Sequence, residues 1–351
     1  MPDSPAIEWR IQVQTSASQE RRVSISADGR GFRLRGGAVL DAHGDGRWFL
    51  TDVEVDAAEW FGPIAARELP DVRGVDCRGR IAMQGEGTRI NGVWDGRLES
   101  VLRDGRWEDP ARKLLIEGIA GRLAIESLHA RRTRGGQEFT WTGGRFDLVP
   151  FGAGRMELAL DGDEVRVDTA RVSLFGGELQ ASSVVWSKAK ARLSAVAHLQ
   201  GVEIQQLLFL LPPVLSAAKG RLDGNLALEQ GSAGVQIGIG RLQLRQGEVA
   251  ELRLAPSPGL LSARLPAQVR AHYPGLEQLE TGGVPLVADV VEVMLNPAGD
   301  AEGRTAVVRI EGGPVDPSLK APVVLQVNVR GPLDSLVKFG TSKQLGFGGA
   351  R

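Results

Sequence analysis

Part of this sequence is written twice, and that repetition constrains the fold more than any other feature. Phe32-Arg33-Leu34-Arg35-Gly36-Gly37-Ala38-Val39 and Val172-Ser173-Leu174-Phe175-Gly176-Gly177-Glu178-Leu179 share a pattern of β-forming residues around a Gly-Gly pair. Each copy continues to a strand end, Asp52-Val53-Glu54-Val55-Asp56 in the first and Gly201-Val202-Glu203-Ile204-Gln205 in the second. Each then passes through a short apolar, helix-like segment containing Leu-Pro. Each re-enters a strand, at Gly79-Arg80-Ile81-Ala82-Met83 or Gly220-Arg221-Leu222-Asp223-Gly224. A repeated supersecondary unit implies a stacked, extended architecture rather than a globule around one pocket.

Period-2 alternation supplies the secondary structure. Leu222, Gly224, Leu226 and Leu228 fall on one face of a strand, with Arg221, Asp223, Asn225 and Glu229 on the other. Met156, Leu158 and Leu160 alternate with Glu157 and Ala159, and Val323, Leu325, Val327 and Val329 with Val324, Gln326, Asn328 and Arg330. Further strands are expected at 7–13, 22–26, 38–41, 47–55, 89–94, 114–117, 121–128, 138–142, 145–149, 183–187, 191–199, 235–239, 241–245, 249–254, 287–295 and 304–311. The 46 glycines run near twice a typical share of roughly 7%. The pairs Gly36-Gly37, Gly143-Gly144, Gly176-Gly177, Gly282-Gly283 and Gly312-Gly313 are expected to mark chain reversals. Helices are few: Ala57–Glu68, Gln205–Ser216 and Pro266–Gln278, the last interrupted by Pro274-Gly275, each expected to plug or cap an apolar face.

The predicted fold is therefore all-β with a few short helices. It is an elongated, twisted, mainly antiparallel sheet, repeat-built, wet on one face and curled into an open apolar groove. The expected divisions are leading strands over 1–29, a first groove repeat over 30–169 and a second over 170–255. A helix plus strands follow over 256–335, then a flexible tail over 336–351.

Chemistry is sparse. Four histidines, His43, His129, His198 and His272, are scattered without a partner at ligand spacing, and no zinc, calcium-loop or Walker pattern occurs. Asp161-Gly162-Asp163-Glu164 reads as a hairpin turn. The single Cys77 excludes an internal disulfide, has no histidine near it in sequence, and reads as a small buried residue. No catalytic residue, metal site or cofactor is expected. A formal charge of −1 gives no support for nucleic acid, and the short basic run Arg131-Arg132-Thr133-Arg134 reads as a solvated hairpin tip. No stretch approaches a spanning helix of about 18 apolar residues, and the first residues lack a signal peptide. Either the chain is cytoplasmic, or an export signal or anchor lies upstream.

The run Leu199-Gln200-Gly201-Val202-Glu203-Ile204-Gln205-Gln206-Leu207-Leu208, followed by Lys219-Gly220-Arg221-Leu222-Asp223-Gly224-Asn225-Leu226-Ala227-Leu228, resembles the C-terminal repeat of YdbH-type proteins. These belong to the AsmA-like group, to which TamB is also related. Gly240-Arg241-Leu242-Gln243-Leu244 and Val323 through Leu333 are similar to that pattern. The resemblance is best over 170–335 and faint over 30–110. Residues 284–311 lack a clear form of the family's Asn-Pro strand beyond Asn296-Pro297. The resemblance implies a twisted sheet with an apolar groove, in proteins anchored at the inner membrane that carry phospholipid across the periplasm to the outer membrane. It places the chain in the periplasm or cell envelope. A "dicarboxylate transport" label used for some members is set aside, because a chain without spanning helices is no solute carrier.

The residues agree with a non-enzymatic lipid groove, since three short helices are too little cover for so many one-sided strands. Acyl chains would supply the rest, at about 0.8 kcal/mol per buried methylene. The expected groove-facing positions are Leu158, Leu160, Val172, Leu174, Leu193, Leu222, Leu226, Leu228, Val323, Leu325 and Val327. The expected partners are phospholipid acyl chains, with envelope or outer-membrane proteins at the open sheet ends, and no nucleic acid. The alternative is a scaffolding β-repeat module that conducts no lipid.

Overall fold

A computed structural model describes residues 6–68, 74–147, 149–187, 194–208, 214–231, 234–263, 265–319 and 322–330. Among them, 22 strands join in one hydrogen-bonded antiparallel sheet. The chain divides into two compact units: Met1–Val172 with Ser182–Leu193, and Ser173–Ala181 with Ser194–Arg351. The expected tail over 336–351 lies outside the described residues.

In the first unit the elements are β1 (Ile7–Thr15), β2 (Arg21–Gly29), β3 (Phe32–Leu40), β4 (Gly46–Asp56), α1 (Ala57–Glu68), β5 (Asp76–Ile90), β6 (Val93–Asp109) and β7 (Leu114–Ser127). They continue with β8 (Arg132–Thr133), β9 (Gln137–Trp141), β10 (Gly143–Phe146), β11 (Val149–Phe151), β12 (Gly154–Asp161) and β13 (Glu164–Leu174). The division between units falls inside β13 and the next strand, β14 (Gly177–Ser187). The second unit continues with β15 (Ser194–Glu203), α2 (Ile204–Leu207), β16 (Leu215–Lys219), β17 (Arg221–Gly231), β18 (Gly234–Leu244) and β19 (Ala250–Leu254). It ends with α3 (Ala267–His272), α4 (Gly275–Glu280), β20 (Leu286–Leu295), β21 (Arg304–Pro314) and β22 (Val323–Arg330).

Several expectations need correction. The segment 89–94 is not one strand but a hairpin. Asn91 and Gly92 both take positive φ, 51° and 82°, the backbone of a two-residue turn whose twist matches the flanking strands. The segment 145–149 is likewise broken at Asp147, which has φ 52°. The helix expected over Gln205–Ser216 is short: α2 stops at Leu207, residues 209–213 lie outside the described residues, and Leu215–Lys219 is a strand paired with β19. The helix expected over Pro266–Gln278 is two helices, α3 and α4, separated at the interruption.

The Gly-Gly pairs divide into two kinds. Gly176 and Gly282 sit in turns with φ 74° and 70°. Gly36-Gly37, Gly143-Gly144 and Gly312-Gly313 lie inside strands. Gly36 and Gly37 are needed there for close approach. A Cβ on Gly36 would stand 2.6 Å from the Phe49 carbonyl oxygen, and one on Gly37 2.4 Å from that of Val23.

Two stretches share an order of elements, but not at the Gly-Gly pairs that the sequence aligned. Their shared landmarks are the two-residue turns Arg30-Gly31 and Phe175-Gly176, each followed by two strands and a helix. In the first copy the Asp56 amide donates to the Gly31 carbonyl at 2.7 Å. In the second the Glu203 amide donates to the Phe175 carbonyl at 2.9 Å. Each bond ties the start of the helix back to the turn.

Candidate functional site

The two units treat their apolar faces differently. In the second unit the face is closed. Leu199, Leu222, Leu226, Leu242, Leu252, Leu286, Val308 and Val323 form a core that also takes in Ile204 of α2 and Leu276 and Leu279 of α4. Leu222 is 1% exposed. Glu280 fixes the end of α4 from inside. Its carboxylate is buried and accepts from the Leu261 amide at 2.8 Å, the Ser262 amide at 3.1 Å and the Ser262 hydroxyl at 2.8 Å. Burial pushes this carboxyl up, but the bonds from Gly259, Leu261 and Ser262 together hold it below the usual range.

In the first unit the corresponding face stays partly open. Residues directly opposite each other in an antiparallel ladder project to the same side. Ile7 of β1 therefore shares a row with Gly29 of β2, Phe32 of β3, Val55 of β4, Ile81 of β5 and Leu102 of β6. The row runs on through Gly121 of β7, Phe139 of β9, Met156 of β12 and Ala170 of β13. None of these is fully buried and none is charged. A parallel row joins Trp9, Ala27, Leu34, Val53, Met83, Ser100 and Leu123. The opposite face carries ion pairs in the open, among them Arg33 with Asp52 and Glu54 at 2.9 Å each, Arg35 with Asp28 at 2.8 Å and Arg122 with Glu99 at 2.6 Å.

Large side chains lie flat on this face because glycines opposite them leave room. Trp48 crosses the strands over Gly87 and Gly96, where an added Cβ on either would stand 2.6 Å from the indole, and its Nε1 donates to the Asp95 carbonyl at 3.0 Å. Trp141 covers Gly154 in the same way. Helix α1 covers part of the face, including the row at Phe32: Trp60 packs on Phe32 with ring centroids 5.4 Å apart, and Phe61 on Trp107 at 5.5 Å. The tryptophans with described side chains thus include packing elements of the sheet.

Of the expected groove residues, Leu158, Leu160 and Val172 lie in the first unit and are half-buried. Leu158 is opposite Gln137 and Val167, Leu160 opposite Val165, and Val172 opposite Gly154, next to the row but not in it. Leu193 lies outside the described residues. Leu222, Leu226 and Val323 are buried in the second unit's core, with Leu174, Leu325 and Val327 packed against it. Leu228 is half-buried. Sequence reasoning missed Phe32, Val55, Ile81, Leu102 and Phe139. The alternation of Ile81 and Met83 with Arg80, Ala82 and Gln84 was a usable signal for that face.

A second concavity, of about 830 Å³, opens on the other face of the second unit, between Val196, Ile239, Met294 and Val324. The arginines near it are matched by carboxylates: Arg241 with Glu292 at 2.5 Å, Arg304 with Asp300 at 2.7 Å, and Arg309 with Glu311. Elsewhere the candidate chemical groups stand apart. Cys77 is half-buried and burial pushes its thiol up. The His198 Nδ1 shares a 2.6 Å hydrogen bond with the Asn225 Oδ1, and His272 meets Tyr273 edge-on at 5.0 Å. Among the described residues no three His, Cys, Asp or Glu gather as metal ligands, and no helix is long and apolar enough to cross a membrane.

Residues 111–265 match the YdbH-like family model, whose description is intermembrane phospholipid transport protein YdbH. That segment is similar to the YdbH-like family. Its bounds reach further upstream than the resemblance in the sequence suggested, and stop before the strand at Val323. Gly121, Phe139, Met156 and Ala170 of the apolar row fall inside the YdbH-like segment, whereas Ile7 through Leu102 precede it. No curated protein and no solved structure matches the chain.

Proposed function

We propose that this chain binds phospholipid by its acyl chains on the apolar face of the first unit, and passes lipid along that face in the cell envelope without catalysing a reaction. The observation that carries the proposal is the uncharged, half-exposed row from Ile7 to Ala170. A sheet face of this kind loses free energy to water, and acyl methylenes recover about 0.8 kcal/mol each on burial. Because the row repeats similar contacts from strand to strand, a chain lying on it has no single deepest seat and can move along it. The description of the YdbH-like family supports phospholipid as the class. It also supports the envelope as the location.

The second unit reads differently. Its face is filled by α2 and α4, which favours a scaffolding role for that unit, and Leu222, Leu226 and Val323 serve there as core.

Photo-crosslinking tests the proposal. A photoreactive amino acid placed at Ile81, on the apolar face, is expected to capture phospholipid when the protein is expressed in a double-membraned bacterium. The same group at Ala82, on the other face of the same strand, is expected to capture none. Equal labelling at both positions, or none at either, would overturn the proposal.

A further inference from the structure

The hairpin joining β5 and β6 ends in an apolar tip that lies outside the two apolar rows. Ile90 is 59% exposed, Val93 46% and Trp94 50%, three large apolar side chains within five residues. The neighbouring strands stop short of them. On one side the β4 pairing ends at Gly46 opposite Arg89, and on the other the β7 pairing ends at Leu98 opposite Ile125, with one last bond from the Leu128 amide to the Gly96 carbonyl. Ile90 through Trp94 therefore project beyond both neighbours. The turn itself is well made: Asn91 and Gly92 adopt the backbone that two-residue hairpins need. Ile90 and Val93 pair on one face of the hairpin and Trp94 lies on the other. Exposed apolar side chains at a regular hairpin tip are costly in water and call for an environment.

Charge narrows which one. Arg89 lies over the Trp94 ring at 5.6 Å and donates to the Gly44 carbonyl. Among the described residues its partners are that carbonyl and that ring, not a carboxylate. Two acids around the tip are engaged by other donors: Asp95 accepts from the Gly96 amide, the Ser127 hydroxyl and the His129 amide, and Asp41 accepts from the His43 and Asp45 amides. The tip thus combines two aliphatic side chains, a tryptophan and a guanidinium beside it. Tryptophan favours the water–hydrocarbon boundary, aliphatic side chains favour the hydrocarbon, and arginine pairs with phosphate. A convex tip suits entry into a fluid interface, where a small-molecule site would need a concavity.

We infer that the β5–β6 hairpin tip is a membrane-docking element that inserts Ile90, Val93 and Trp94 into the interface of an anionic phospholipid bilayer, with Arg89 at the headgroup phosphates. The tip lies beyond the two apolar rows: Arg89 and Trp94 continue the face of Ile81 and Leu102 to its end, while Ile90 and Val93 lie on the other face, and the docking stands whether or not the rows carry lipid.

Vesicle flotation tests it with the full chain. Vesicles of phosphatidylglycerol and phosphatidylcholine in equal parts are expected to float the protein, and phosphatidylcholine alone to float it less. The variant with Ile90→Ser, Val93→Ser and Trp94→Ser keeps Asn91-Gly92 and is expected to bind the mixed vesicles about tenfold or more weakly. Arg89→Gln is expected to remove the preference for the anionic vesicles while leaving the remaining binding. Thermal melting reports whether each variant is folded. Wild-type protein that ignores both vesicles, a folded triple variant that binds like wild type, or a tip that retains a protein partner while vesicles are ignored would each overturn the inference. Phospholipid bound to the triple variant in native mass spectrometry reads the apolar face separately, so loss of docking is distinguishable from loss of lipid carriage.

Discussion

Met156 of β12 stands directly opposite Phe139 of β9, and through this pair the apolar row passes from the long strands of the first unit into β12 and β13. Phe139 in turn lies over Gly121, so its ring rests flat where a side chain on β7 would lift it. A charge at this junction should interrupt the row without entering a packed core. Met156→Glu is expected to leave the protein folded and to lower the phospholipid recovered with it. Quantitative lipid extraction from matched preparations, with melting curves for both, checks this.

The two units predict opposite costs for the same kind of truncation. Leu222→Ala removes a fully buried side chain from the second unit's core and should cost about 2–5 kcal/mol. Leu102→Ala, on the half-exposed row, should cost no more than about 1–2 kcal/mol and lower bound lipid instead. Denaturant unfolding and lipid extraction on the two variants read both effects. Equal stability losses with unchanged lipid would place Leu102 in an ordinary core.

Glycine is required where Trp48 crosses the sheet. A Cβ on Gly87 would stand 2.0 Å from the Asp95 carbonyl oxygen and 2.6 Å from the indole nitrogen, and the first of these is backbone that cannot swing away. Gly87→Ala is expected to destabilise the first unit by about 1–3 kcal/mol. The hydrogen bond from Trp48 to Asp95 should weaken with it, which tryptophan indole resonances in an NMR spectrum would register.

Glu280 gives the second unit an acid limb. Its carboxyl is held below its ordinary value, so the folded state binds its proton less readily than the unfolded chain. The stability it contributes is complete above the ordinary carboxylate range, near 4.5, and is lost as pH falls through the lower value in the fold. Glu280→Gln should cost about 1–3 kcal/mol at neutral pH through weakened bonds to Leu261 and Ser262. The gap between variant and wild type should narrow as pH drops below 4.5, a trend that melting at a series of pH values measures.

Much of the fold was legible because alternation is a local signal. Leu222, Gly224 and Leu226 read as one face, and their neighbours Val202, Leu199 and Ala197 on β15 and Leu244, Leu242 and Gly240 on β18 continue it. Turn geometry was less legible. Gly-Gly marks a reversal at Gly176 but a close backbone approach at Gly36, and only the partner strand, with Phe49 and Leu50, decides between them. The site was harder still. Leu226 and Ile81 carry the same alternating pattern, yet one lies in a core that includes α4 and the other stays half-exposed. Which face a distant helix covers is a tertiary fact that neither strand encodes.

The account rests on an apolar face that holds lipid, and native mass spectrometry of the chain purified without detergent tests it most directly. The spectrum is expected to show protein carrying one or more phospholipids, shifting to the bare mass when Ile81 and Leu102 are both replaced by glutamate. Wild-type protein that appears at the bare mass alone would contradict it.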